Sequence, residues 1–214
     1  MLTRSTILRV MAIAGAVLLA CLPARAHPHM WVTVEATVLY ENGAFTGIRH
    51  KWTFDEYYTA TAIEGLDKNK DGKYDRAELA ELAKVNVDAL KDFDYFTFPT
   101  LAGQAVKLGE PADSWMEHKD GVLSLYFTAP FASPVPADAK GFAFSIHDPS
   151  FFIAFELAKT EKPVQLASDA PKGCSVKMEA PEQRDTAALG PMSQLGGVMS
   201  IGQTIAVTCT PGAK

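Results

Sequence analysis

The chain has 214 residues, 48% hydrophobic and 10% aromatic, with a net charge of -5. That apolar share excludes an intrinsically disordered chain, since enough side chain is available for burial to offset the entropy of ordering the backbone. The acidic balance excludes a nucleic-acid binder, which needs a basic face to neutralise phosphates.

The first 26 residues have the layout of an export signal. Arg4 and Arg9 flank the start, Val10–Leu22 is an apolar run, and Pro23-Ala24-Arg25-Ala26 supplies small residues at the two positions a signal peptidase reads. A rival reading takes Leu18-Leu19-Ala20-Cys21 as a lipobox, with Cys21 as a lipid-modified first residue. Cleavage after Ala26 would leave residues 27–214 as one periplasmic domain. It would also remove three arginines and no acid, moving the net charge from -5 to -8. No later stretch approaches the roughly 18 apolar residues of a membrane-spanning helix, so the mature chain is not expected to span a membrane.

His29–Tyr40 alternates strictly, with Val32, Val34, Ala36, Val38 and Tyr40 forming an apolar face, and is expected to be a strand. Glu41-Asn42-Gly43 follows. Asn-Gly is the strongest short hairpin signal because both residues accept a positive φ, so Ala44–Trp52 should return as the partner strand. At Thr53 the period changes. Thr53-Phe54-Asp55-Glu56 fits a capping box, with Trp52 and Tyr57 placed for a hydrophobic staple, and a helix is expected from about Phe54 to Leu66. A second helix is expected from about Asp75 to Phe93, on the helical spacing of Leu79, Leu82, Ala89, Leu90 and Phe93.

Between the two helices, Asp67–Glu78 matches D-x-[DN]-x-[DN]-G-x5-E at every fixed place. Asp67, Asn69 and Asp71 offer oxygens at loop positions 1, 3 and 5, and Gly72 permits the sharp turn at position 6. Lys73 offers its carbonyl, Asp75 acts at position 9, and Glu78 gives a two-oxygen carboxylate at position 12. The loop resembles the EF-hand, and calcium is the expected ion. One loop without a sister, and three lysines (Lys68, Lys70, Lys73) among the carboxylates, imply a structural or modest-affinity site.

From Tyr95 the strand period returns. Strands are expected at Gln104–Leu108, Ser114–His118, Val122–Thr128, Phe142–His147, Phe151–Leu157, Pro163–Ala167, Gly173–Met178 and Ile201–Thr208, with Asp120-Gly121 as a hairpin turn. Pro181–Ser200 reads as a long loop or partial helix. The expected class is α+β: a mainly antiparallel β-sandwich or open barrel with one helix–loop–helix inserted at about 54–93. Without the signal, two cysteines remain. Cys174 and Cys209 are expected to form a disulfide in an oxidising compartment.

The histidines offer a second metal chemistry. If Ala26 is the cleavage point, His27-Pro28-His29 begins the mature chain, and an α-amine with two imidazoles suits copper, nickel or zinc. Pro28 lacks the amide that a square-planar amino-terminal chelate needs, which leaves a brace of His27 completed by another imidazole. His50, on the returning strand, and His147, beside Asp148, are the candidates to complete it. The alternative is that all four are ordinary strand residues.

Seven segments together resemble the domain-of-unknown-function 1007 family of bacterial periplasmic proteins: HPHMWV, RHKWTFDE, IEGLDKNKDGKYDRAEL, VNVDAL, YFTF, HDPSFFIAFE and the late VTC. The resemblance implies a periplasmic component of an ABC-type transport system, with nickel, cobalt or zinc as its theme and an inner-membrane metal transporter as partner. Three functions follow as expectations. The first is a non-enzymatic metal-binding protein with one calcium loop. The second is a binding component for a non-metal solute, with Phe142, Phe144, Phe151, Phe152 and Phe155 as its pocket. The third is a histidine-brace copper oxidoreductase. No nucleophile elbow, P-loop or zinc-protease pattern is present.

Overall fold

A computed structural model describes residues 29–150, 152–179 and 202–210. The expected export signal, Cys21, His27 and the Pro181–Ser200 segment lie outside the described residues.

The opening hairpin forms as its alternation and turn residues dictate. Strand β1 (Met30–Glu41) pairs antiparallel with β2 (Ala44–Phe54), and the turn holds Asn42 at φ 49° and Gly43 at φ 88°. Helix α1 (Glu56–Ala62), helix α2 (Ala80–Leu90) and a 3-10 segment (Lys91–Phe96) follow. The chain then returns to strands: β3 (Thr97–Leu101), β4 (Gln104–Ala105), β5 (Ala112–Lys119), β6 (Val122–Pro136) and β7 (Phe142–Ile146). The last four are β8 (Ile153–Leu157), β9 (Val164–Leu166), β10 (Cys174–Glu179) and β11 (Thr204–Cys209). Two open sheets result. One has the order β5-β6-β2-β1-β8, with β9 also on β1, and the other has the order β10-β11-β7-β3-β4.

The class is as expected, with differences in detail. Both helices are shorter than their periodicity implies. The first is capped by Asp55 rather than Thr53, with Asp55 Oδ1 accepting from Tyr58 N at 2.8 Å. Strand pairing overrides the local cap signal, because Thr53 is held on both sides, opposite Thr33 and opposite Ser124. Its hydroxyl meets Ser124 at 2.9 Å instead of a helix amide. The staple does not form either: Trp52 is buried and Tyr57 is 82% exposed. β3 is a strand without a counterpart among the expected ones, and β6 runs eight residues past Thr128 to Pro136. The sheet is also not purely antiparallel, since β8 and β9 both lie parallel to β1.

The core lies between the sheets. Val32, Val34, Ala36 and Val38 from β1 join Ile48, Trp52 and Phe54 from β2, and Leu123, Leu125, Phe127 and Ala129 from β6. They pack in one cluster with Phe142, Phe144, Ile146, Ile205 and Val207 of the second sheet. Leu79, Ala83 and Val87 carry the helical insertion into the same cluster. Burying a side chain of this size stabilises by roughly 1.5–3 kcal/mol, so the insertion is anchored by its own apolar stripe. At the far end of the second sheet, Cys174 and Cys209 face each other across β10 and β11 and are joined as a disulfide.

Candidate functional site

The 12-residue loop leaves α1 through Gly65 (φ 77°) and enters α2 through a turn that begins at Asp75. The two helices are tied across it, the Tyr58 hydroxyl donating to Asn86 Oδ1 at 2.9 Å. Gly72 holds φ 77°, the positive value that its place in the motif requires, and Lys70 holds φ 61°.

The side-chain oxygens of the loop's first half are aimed inward at its own amides. Asp67 Oδ1 accepts from Asp71 N at 3.2 Å and its Oδ2 from Gly72 N at 3.0 Å. Asn69 Oδ1 accepts from Asp71 N at 2.9 Å, and Asp71 Oδ1 from Lys73 N at 2.8 Å. The second half is a reciprocal cap. Asp75 Oδ1 accepts from Glu78 N at 2.9 Å and Ala77 N at 2.7 Å, while Glu78 Oε2 accepts from Asp75 N at 3.2 Å. Glu78 also closes the loop: its Oε1 accepts from Lys68 N at 2.8 Å and Asn69 N at 3.3 Å, and the residue is buried.

The donors fit a hard divalent cation in kind: four carboxylates, one side-chain amide and a free main-chain carbonyl at Lys73 are the all-oxygen set that calcium takes. Their arrangement is self-bonded. Among the described residues no three Asp, Glu, His or Cys side chains form a group that could hold a metal ion.

The loop's second half is docked on the sheet by contacts absent from the sequence reading. Tyr74, at position 8, meets the His118 ring of β5 edge-on at 4.9 Å. The Arg76 guanidinium lies 3.7 Å over the Trp115 ring, and Trp115 stacks on Tyr126 of β6 at 3.8 Å with the planes 2° apart. Arg76, Ala80, Asp113, Ser114 and Trp115 line an open recess of about 520 Å³ here. The alternation of Ser114–His118 does place Trp115 and Glu117 on one face, but nothing local says which loop meets that face.

Among the described residues the structure does not assemble His29, His50 and His147 into one group. His50 is fully buried: its Nδ1 accepts from Trp52 Nε1 at 3.3 Å, its Nε2 meets Thr97 Oγ1 at 3.2 Å, and its ring stacks on Phe127 at 4.7 Å. Desolvation holds its pKa down at about 3. With both nitrogens engaged inside the core, His50 is a packing residue rather than a ligand. Its strand partner is Ala36, seven residues along β1 from His29, or roughly 20 Å at the rise of a strand. His29 is exposed and stacks on Phe152 at 4.8 Å. His147 follows the end of β7, the central strand of the other sheet, packs on Phe98 at 4.5 Å and has its Nδ1 3.3 Å from Ser145 Oγ.

The phenylalanines do not line one pocket. Phe142 and Phe144 are core residues, Phe155 packs against Trp52 at 5.0 Å, Phe152 is 54% exposed, and Phe151 lies outside the described residues.

Two comparisons bear on this chain. The family model described as "Protein of unknown function (DUF1007)" matches residues 12–195. An uncharacterized protein of Haemophilus influenzae is 26% identical over 157 residues, which cover 73% of this chain and 74% of that protein.

Proposed function

The chain belongs to the DUF1007 family of proteins of unknown function, and we propose that it is an exported, non-catalytic binding protein with one EF-hand-like calcium site. The observation that carries this reading is the loop between α1 and α2. D-x-N-x-D-G-x5-E is complete from Asp67 to Glu78, Gly72 takes the positive φ, and Glu78 spans the loop from its last position to its second and third. The residues that would hold the ion are Asp67, Asn69, Asp71, Asp75 and Glu78 through side chains and Lys73 through its carbonyl. A bound calcium would neutralise part of the loop's four carboxylates and cross-link its two halves.

Export is supported by the character of residues 1–26 and by the Cys174–Cys209 disulfide, which persists in oxidising compartments. A role as an accessory or binding component of a transport system rests on the family resemblance. With His50 engaged inside the core, the transition-metal reading centres on His27 and His29.

Calorimetry on the calcium-stripped chain beginning at His27 tests the calcium reading. Binding is expected at about 0.1–1 mM, the range of extracellular calcium modules. No heat at several millimolar calcium, in a chain whose Asp67→Asn variant behaves identically, rejects it.

A further inference from the structure

We propose that Arg76 and Trp115 act together as a clamp that positions the outgoing half of the calcium loop. This inference rests on reading the loop as a calcium site. Within the loop, Asp67, Asp71, Asp75 and Glu78 are matched in number by Lys68, Lys70, Lys73 and Arg76. A cation among the carboxylates competes with the ion they would bind. Arg76 is engaged outside the loop, its guanidinium carbon lying 3.7 Å from the centroid of the Trp115 ring. Among the described residues none of the four cations makes an ion pair with a loop carboxylate.

The clamp stands on a braced surface. β5 is an edge strand and would be a poor anchor by itself, but Trp115 is stacked on Tyr126 of the neighbouring β6 at 3.8 Å. The Tyr126 hydroxyl donates to Glu117 Oε2 at 3.3 Å, and opposite Tyr126 stands Lys51, which donates to Glu35 at 2.7 Å. A row of side chains therefore crosses four strands from β1 to the loop. Tyr74 on His118 supplies a second point of attachment two residues before Arg76. The residue between them is Asp75, and two beyond Arg76 is Glu78, so both ligand positions of the outgoing half are set by contacts to the sheet. Among the described residues, the hydrogen bonds of the entering half, Asp67 to Lys73, run within the loop. Ion binding then consists of the entering half closing on a fixed outgoing half, and what loosens the clamp weakens the ion.

Three variants separate the clamp from simple charge. Removing a loop cation should by Coulomb's law tighten calcium, whereas removing a clamp should weaken it. Calcium affinity of the chain beginning at His27 is measured by calorimetry for the parent, Trp115→Ala, Trp115→Phe and Arg76→Met, with thermal melts in chelator as a check on folding. Trp115→Ala and Arg76→Met should each weaken calcium roughly two- to fivefold, the scale of an exposed cation–π contact. Trp115→Phe should bind nearly as the parent while losing a calcium-dependent change in tryptophan emission. Unchanged or tightened binding in Arg76→Met, with the parent binding normally, overturns the clamp and leaves the calcium site standing. A parent that does not bind calcium removes the site and the clamp together. Should Trp115→Ala fail to fold, Arg76→Met and the emission of Trp115→Phe still decide.

Discussion

The indole of Trp52 donates its N–H to Nδ1 of His50, two residues away on the inward face of β2. This bond fixes the imidazole's protons. Nε2 must carry the hydrogen and donate to Thr97 Oγ1, whose own hydrogen goes to the Tyr95 carbonyl at 2.9 Å. Both ring nitrogens are thus engaged in the core, one as acceptor and one as donor, so the ring is stable only when neutral.

Acid should therefore unfold the protein through His50. Burial lowers its pKa from 6.5 to about 3. The unfolded chain binds the proton first, so stability falls as pH drops below 6.5 and continues to fall until the folded pKa is reached. At about 1.4 kcal/mol per unit, the loss between pH 6.5 and 5 is on the order of 2 kcal/mol. Urea midpoints measured across that range should shift accordingly, and much less in a folded His50→Gln variant. An equal slope in both would remove His50 from the account.

Glu78→Gln tests the closure of the loop without reference to metal. The amide keeps the shape, but one of its two positions becomes a donor facing backbone N–H groups that already donate. The expected loss is about 1–2 kcal/mol even in chelator, since both the cap and the closure weaken. Thermal melts in chelator give the structural share, and the added shift with calcium gives the metal share.

Gly47→Ala should be costly for a reason unrelated to turns. A Cβ there would sit 2.7 Å from the Ala129 carbonyl oxygen and 2.8 Å from Pro130 Cα, where β2 and β6 change register. Backbone on both sides cannot yield cheaply, so a loss of roughly 1–3 kcal/mol is expected, the scale of overpacking. Gly43→Ala, which meets nothing within 4 Å but must adopt φ 88°, should lose less.

Reduction should loosen the β10–β11 pair. Cys174 and Cys209 close a loop of 35 residues, worth on the order of 3–4 kcal/mol by chain entropy. Denaturant curves of Cys174→Ser, or of the parent with reductant, should show that drop. Thiol titration of the unreduced parent should find neither cysteine free.

The local codes of this chain were enough to determine its opening hairpin, the strand character of most of its second half, the two helices with the Asp67–Glu78 loop between them, and the cysteine pair. In each case the information lies within a few residues: an alternation, an Asn-Gly pair whose positive φ values only a tight hairpin uses, or oxygens at fixed spacing around a glycine. The tertiary structure decided where a second strand or sheet competes for the same residue. Thr53 carries a cap signal, but β1 and β6 flank it and the cap moves to Asp55. β8 runs parallel to β1 because the chain reaches it from β7 of the other sheet, and β9 continues in the same direction further along β1, which no strand's own pattern records. His50 has the same chemistry as His29, yet one faces Phe127 in the core and the other lies exposed at a strand end. Arg76 finds Trp115, thirty-nine positions away, through the register of β5 with β6. Such relationships are set by which surfaces must be buried together, and burial is a property of the assembled chain.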